Sequence, residues 1–182
     1  DGGALFLTNS TVGDNTTTGS GGGIYNTGAV DARFVTIYKN LASNGGLSIF
    51  NQPAVGKSFV LFGAIVAKPT SENRTVCSGA PLLASGSGYN SISDASCGLA
   101  ASANIQLHDL TAGKGDTPAY YMPVAAANNT VLDTVPTPAC EAQLGAGNLR
   151  DQRGRPRPMR FPGNANAYCD SGAVEYGQEQ YT

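Results

Sequence analysis

The sequence predicts an all-β chain: a right-handed parallel β-helix, a solenoid of about 25 residues per coil, followed by an irregular, disulfide-bonded C-terminal cap. Three observations carry this expectation. Segments of one composition recur at a fixed spacing, their apolar positions stack in phase, and Gly, Asn and Ser clusters separate them.

The first element, "ALFLTNSTVGDN" from Ala4, aligns with "AVDARFVTIYKN" from Ala29 and "AVGKSFVLFGAI" from Ala54, 25 residues apart at each step. That register places Leu5, Val30 and Val55 in one column and Val12, Ile37 and Phe62 in another, with Asn15 on Asn40. In the arm between, Ile24 falls on Ile49, Tyr25 on Phe50 and Asn26 on Asn51. The units are rich in Val, Ile, Phe, Tyr and Thr and lack a 3.6-residue rhythm, so they read as strands. Three short strands with tight corners fill one coil, wound right-handed by the chirality of parallel crossovers. An antiparallel sandwich with coincidental spacing leaves the in-phase identity of two different arms unexplained.

In "GGGIYNTGAVDARFVTIYKN", residues 21 to 40, Gly21, Gly22 and Gly23 supply corner conformations closed to larger residues. Asn26 over Asn51 forms an amide ladder. Lys57, where Leu7 and Ala32 stand in the earlier coils, marks the last coil as imperfect. Residues 1–67 are expected to form the coils, about three of them, stacking to about 14 Å. Residues 68–182 hold all four cysteines, every proline but Pro53 and every arginine but Arg33, and are expected to cap the open end.

Only 13% of residues are charged, against about 25% in an ordinary domain, and the net charge of −2 offers no general polyanion surface. A hydrophobic content of 41% excludes a disordered chain. The longest apolar run, "FVLFGAIVA" at 59–67, is less than half the roughly 20 residues of a membrane helix, so no segment is expected to span a bilayer. Beginning at Asp1, with neither an initiator Met nor a signal segment, the chain is expected to be a processed or excised product.

Cys77, Cys97, Cys140 and Cys169 are spaced too widely for a C-x-x-C metal or redox motif. Four cysteines allow three pairings. Cys77 with Cys97 and Cys140 with Cys169 are favoured, because each closes a local Gly- or Pro-rich loop. Two disulfides place the chain in an oxidising, extracellular setting.

"GGGIYNTGAV", "FVLFGAIVA", "SGYNSI…CGL" and above all "DQRGRPRP" followed by "CDSGAVEY" carry a family resemblance. With these motifs the chain resembles, over nearly its whole length, the C-terminal part of bacterial right-handed parallel β-helix surface proteins with a choice-of-anchor Q region. The resemblance implies a secreted or cell-surface protein whose β-helix precedes a variable anchoring device, with no enzymatic activity established for the region.

Candidate chemistry is sparse. Arg150, Asp151, Arg153, Arg155, Arg157 and Arg160 fall within eleven residues, with Asp170 and Glu175 close behind. A polyanion site is one reading. The favoured one is an internal clamp in which Arg153 or Arg157 pairs with Asp151, Asp170 or Glu175, since the guanidinium fork suits carboxylates. His108 beside Asp109 is the only histidine, and no serine sits in a G-x-S-x-G nucleophile motif. Polysaccharide-cleaving β-helices need convergent acids, whereas the coils offer only Asp1, Asp14 and Asp31, with Asp14 in line with Lys39 and Ala64. No catalytic residue, cofactor or metal is therefore assigned. Asn9, Asn15, Asn73 and Asn128 fit the N-x-S/T glycosylation pattern.

The expected function is an extracellular structural solenoid: a self-associating filament or stalk subunit stacking head to tail through its N-terminal edge. The alternatives are a carbohydrate-binding adhesin, suggested by Tyr25, Tyr38 and Phe50 as exposed aromatics, and a polysaccharide-degrading enzyme. Self and glycans are the expected partners; nucleic acid is not.

Overall fold

Ten short strands wind as a parallel β-solenoid of about four laps in the computed structural model, which describes residues 2–82, 84–145, 147, 149–159 and 168–177. The first lap holds β1 (Ala4–Gly13), β2 (Thr16–Thr17) and β3 (Ile24–Asn26), and the second β4 (Ala29–Tyr38), β5 (Leu41–Ala42) and β6 (Ile49–Asn51). The third holds β7 (Phe59–Phe62), β8 (Ile65–Ala67) and β9 (Cys77–Gly79), and the fourth β10 (Ser91–Ile92). Three parallel ladders result: β1 on β4, β4 on β7 and β8, and β8 on β10; β2 on β5; β3 on β6 on β9.

From lap one to lap two the expected register holds. Leu5 pairs with Val30, Val12 with Ile37, Ile24 with Ile49, Tyr25 with Phe50 and Asn26 with Asn51. The third lap departs from it. Val30 meets Phe59, not Val55, and Ile37 meets Val66, not Phe62. The stretch after Asn51 loops out before Phe59, whereas only Thr27 and Gly28 separate Asn26 from Ala29. Val55 and Lys57 fall in that loop, Val55 fully exposed, and Leu61 takes the place against Ala32 expected of Lys57.

Each long arm contains one residue in the left-handed region, and these stack from lap to lap: Asn9, Phe34, Gly63 and Tyr89, with φ of 46°, 52°, 56° and 53°. Strand side chains alternate between faces, and a left-handed residue shifts that alternation by one. Val30 and Ala32 therefore point inward before the bend and Val35 and Ile37 after it, while Phe34 turns outward. Gly63 is needed twice over: its φ disfavours a side chain, and a Cβ there would stand 2.8 Å from the Phe34 ring.

The inward residues, among them Ile24, Val35, Ile37, Ile49, Leu61, Val66 and Ile92, form one buried column. Each such side chain contributes about 1.5–3 kcal/mol when buried.

The boundary expected at Ala67 is too early, because β9 and β10 extend the ladders beyond it. Both expected disulfides form, Cys77–Cys97 and Cys140–Cys169. Nor is the C-terminal region a simple end cap. Leu82, Cys97 and Leu99 close the fourth-lap end of the column. Beyond them the chain turns back along the outer face of the laps as a belt. The belt contains the hairpin β11 (Leu107–Thr111) and β12 (Tyr120–Pro123) and the helix α1 (Thr137–Leu144). It covers the outward Phe34, Phe62, Ile65 and Ala67 and reaches the first lap, where the Tyr121 hydroxyl donates to Asp14 at 2.6 Å. Burial and that bond push the Tyr121 phenol well up.

Candidate functional site

The segment Asp170–Glu175 crosses from lap to lap beside the column of bends. The Ser171 hydroxyl donates to the Tyr89 carbonyl of the fourth lap at 2.9 Å. Gly172 N–H donates to the Gly63 carbonyl of the third at 2.7 Å. Ala173 N–H donates to the Thr36 hydroxyl of the second at 3.0 Å. The Ala173 carbonyl accepts Gln152 N–H, and the Gln152 side chain accepts the Thr11 hydroxyl of the first lap at 2.6 Å. Asn9 adds a bond to the Arg150 carbonyl at 2.7 Å.

An extended chain advances about 3.3 Å per residue while laps are about 4.8 Å apart, so backbone alone cannot keep step. Side-chain reach from Ser171, Thr36 and Gln152 makes up the difference. Gly172 is again doubly required: its φ is 92°, and a Cβ would sit 2.6 Å from Ile65 and 2.7 Å from the Thr36 hydroxyl.

What holds this strap is the expected clamp, now with its pairings. Arg157 and Glu175 are both fully buried and ion-paired, and Arg157 also donates to the carbonyls of Asp170 (3.1 Å) and Gly172 (2.7 Å). Its guanidinium lies 4.7 Å from the Phe34 ring centroid, over the strained bend. Arg153 pairs with Asp151 at 2.8 Å and donates to the Glu175 carbonyl at 2.6 Å. Asp151 also accepts the backbone N–H groups of Arg153, Arg155 and Glu175. The Asp170 carboxylate accepts the backbone N–H groups of Asp133 (2.7 Å) and Tyr176 (2.6 Å). Arg160 lies outside the described residues.

Three buried carboxylates, Asp151, Asp170 and Glu175, thus share the buried guanidinium of Arg157 and the partly buried one of Arg153. Desolvation pushes Asp170 well up, and the neighbouring Glu175 charge pushes it further. Desolvation also raises Glu175, to about 7, against the pull of Arg157.

The other candidates are scattered. Asp109 is ion-paired with Lys39 at 2.6 Å, and His108 beside it is exposed on β11. Asp14 is held by Tyr121 and Asp31 by Arg33 at 2.7 Å; Asp1 lies outside the described residues. Among the sequons, Asn73 and Asn128 are exposed, whereas the amide nitrogens of Asn9 and Asn15 donate to Arg150 and Asn40. Of the aromatics expected on the surface, Tyr25 is exposed and stacks on half-buried Phe50 at 4.9 Å, while Tyr38 packs edge-on against Tyr121. Among the described residues no helix is long and apolar enough to cross a membrane.

Sequence reasoning reached the charged residues of the clamp and missed Thr11, Thr36 and Gln152. The available signals were Thr11 and Thr36, in phase on adjacent laps, and Gln152 inside the "DQRG" motif. Compared with protein-family models, with curated proteins and with solved structures, the chain matches none.

Proposed function

We propose that the chain is the closed end of an extracellular structural β-solenoid, a stalk or surface fibre in which a further parallel coil stacks on the N-terminal lap. The contrast between the two ends carries this reading. Among the described residues β1 at the N-terminal lap is paired along one edge only, Phe6 is 76% and Leu5 39% exposed, and Leu7 and Val12 are half-covered. At the other end outward backbone groups of β9, β10 and the residue before β9 are taken by side chains and backbone of the following segment. Val76 N–H donates to Asp94, Cys77 N–H to the Ser96 hydroxyl, and Ile92 exchanges bonds with Ser102.

An open sheet edge recruits another strand, and a satisfied one does not. The covered far end favours a terminus over the head-to-tail filament, which needs both edges. Two disulfides with no free cysteine support an oxidising compartment, and the resemblance of "DQRGRPRP" and "CDSGAVEY" to surface proteins supports the cell exterior. Of Tyr25, Tyr38 and Phe50, on which the adhesin reading rests, Tyr25 alone is exposed, and the enzyme reading has Asp14 and Asp31 already engaged.

Immunogold labelling of the native material with antibody to the belt tests the proposal. Label at one end of extended extracellular particles is the expected result. Label repeated along the particle length returns the filament, and label confined to the cell interior removes the proposal.

A further inference from the structure

One side-chain device joins successive laps at two separate corners. Asn40 donates from Nδ2 to the Val12 carbonyl at 2.9 Å and accepts Asn15 N–H on Oδ1 at 3.2 Å, bracketing the left-handed Asp14 of the preceding lap (φ 56°). Asn90 does the same one lap further along. It donates to the Leu61 carbonyl at 2.6 Å and accepts Ala64 N–H at 2.9 Å, bracketing Gly63 (φ 56°). In both cases the amide spans a carbonyl and the N–H three residues later. It also always reaches backward, from the later lap to the earlier corner.

Asn15 stands one lap before Asn40, in phase with it. Asn40 is buried, 1% exposed, whereas Asn15 is exposed, and among the described residues it has no preceding corner to bracket. Its neighbours on the same face, Leu5, Leu7 and Val12, repeat the apolar positions of Val30, Ala32 and Ile37.

We infer that Asn15 is the specificity-determining residue of the N-terminal face: it receives a parallel coil that turns a left-handed corner above it, offering a carbonyl and, three residues on, an N–H. This rests on the stacking reading above and adds to it the register, the polarity and the corner chemistry of the partner. A left-handed corner favours Gly, Asn or Asp in the incoming coil. Since the bracket works in one direction, the incoming coil must present its C-terminal-facing side. A second copy of this chain does not offer that side, its last lap being closed by Asp94, Ser96 and Ser102.

The test adds one lap in phase by duplicating residues 4–28 within the full chain, so that the inner copy of Asn15 acquires a corner to hold. In the duplicated chain, Asn15→Ala at the inner copy is expected to lower the thermal midpoint as much as Asn40→Ala does in the parent. It should also speed hydrogen exchange of the bracketed N–H by roughly tenfold, as for loss of one buried hydrogen bond. Asn15→Ala in the parent, which loses only the bond from Asn15 Nδ2 to Asn40 Oδ1, is expected to lower the midpoint clearly less than Asn40→Ala does. A folded extra lap indifferent to Asn15→Ala, in midpoint and in exchange, overturns this inference and leaves the stacking reading standing. A duplicated chain whose extra lap stays unfolded, with β1-type amides unprotected while the parent laps remain intact, overturns both.

Discussion

Between laps one and two, Leu5 lies against Val30, Val12 against Ile37 and Asn26 against Asn51, contacts that return with the period of the coil. Along the strap, Arg157, Glu175, Asp170 and Gln152 make bonds with no repeat among the described residues. The first kind of cohesion joins each lap only to its neighbours, so stability adds up lap by lap and an end lap can peel away. The second joins laps two to four to one segment and ties in lap one through Gln152. The difference explains why a chain of low charge concentrates its buried charges outside the apolar column: unique partners fix where the strap crosses, which apolar stacking cannot do.

The largest expected effect comes from breaking the strap's ion pair. Arg157→Ala strands Glu175 in a site that excludes water and removes two backbone contacts, and is expected to cost about 3–5 kcal/mol in chemical denaturation. Next is the column itself: Ile37→Ala opens a cavity between laps and is expected to cost about 3 kcal/mol. If Ile37→Ala costs clearly more than Arg157→Ala, the strap is secondary and the contrast between the regions fails.

Titration sharpens the contrast, since the apolar column carries no charge to titrate. Glu175 holds its proton more tightly folded than unfolded, so unfolding releases a proton between its ordinary 4.5 and about 7. Stability is therefore expected to be higher at the acidic side of that window, to fall as pH rises through it, and to level off above. Asp170, shifted in the same direction, extends the fall. Denaturant midpoints across the window check this, and Glu175→Gln should flatten the profile. A midpoint that rises with pH through the window contradicts the buried-proton account. The smallest effect belongs to the exposed ladder: Tyr25→Ala loses one face of the Tyr25–Phe50 stack and is expected to cost about 1 kcal/mol.

How much was legible in the sequence follows the same division. The coil was readable because Leu5, Val30 and their like repeat, and a repeat constrains each position several times over. The lengthened third lap was hidden because Ala54 and Val55 match the pattern by residue type while lying in a loop. In the clamp, residue types revealed Arg153, Arg157, Asp151 and Glu175. The strap's path depends on backbone carbonyls, which leave no mark in the sequence, and on Thr36 and Thr11, whose in-phase spacing shows that they stack but not what they bind. The cap was placed at the end because capping is what a solenoid end needs. Its return along the side follows from the outward Phe34 and Phe62, whose orientation depends on bends that local sequence leaves open.

The central claim is that the strap makes the laps open together. Native-state hydrogen exchange on the ladder amides of β4, β8 and β10 tests it most directly. A single common opening free energy in the parent, splitting into lap-by-lap values in Arg157→Ala, is the predicted result. Lap-by-lap opening already present in the parent would contradict it.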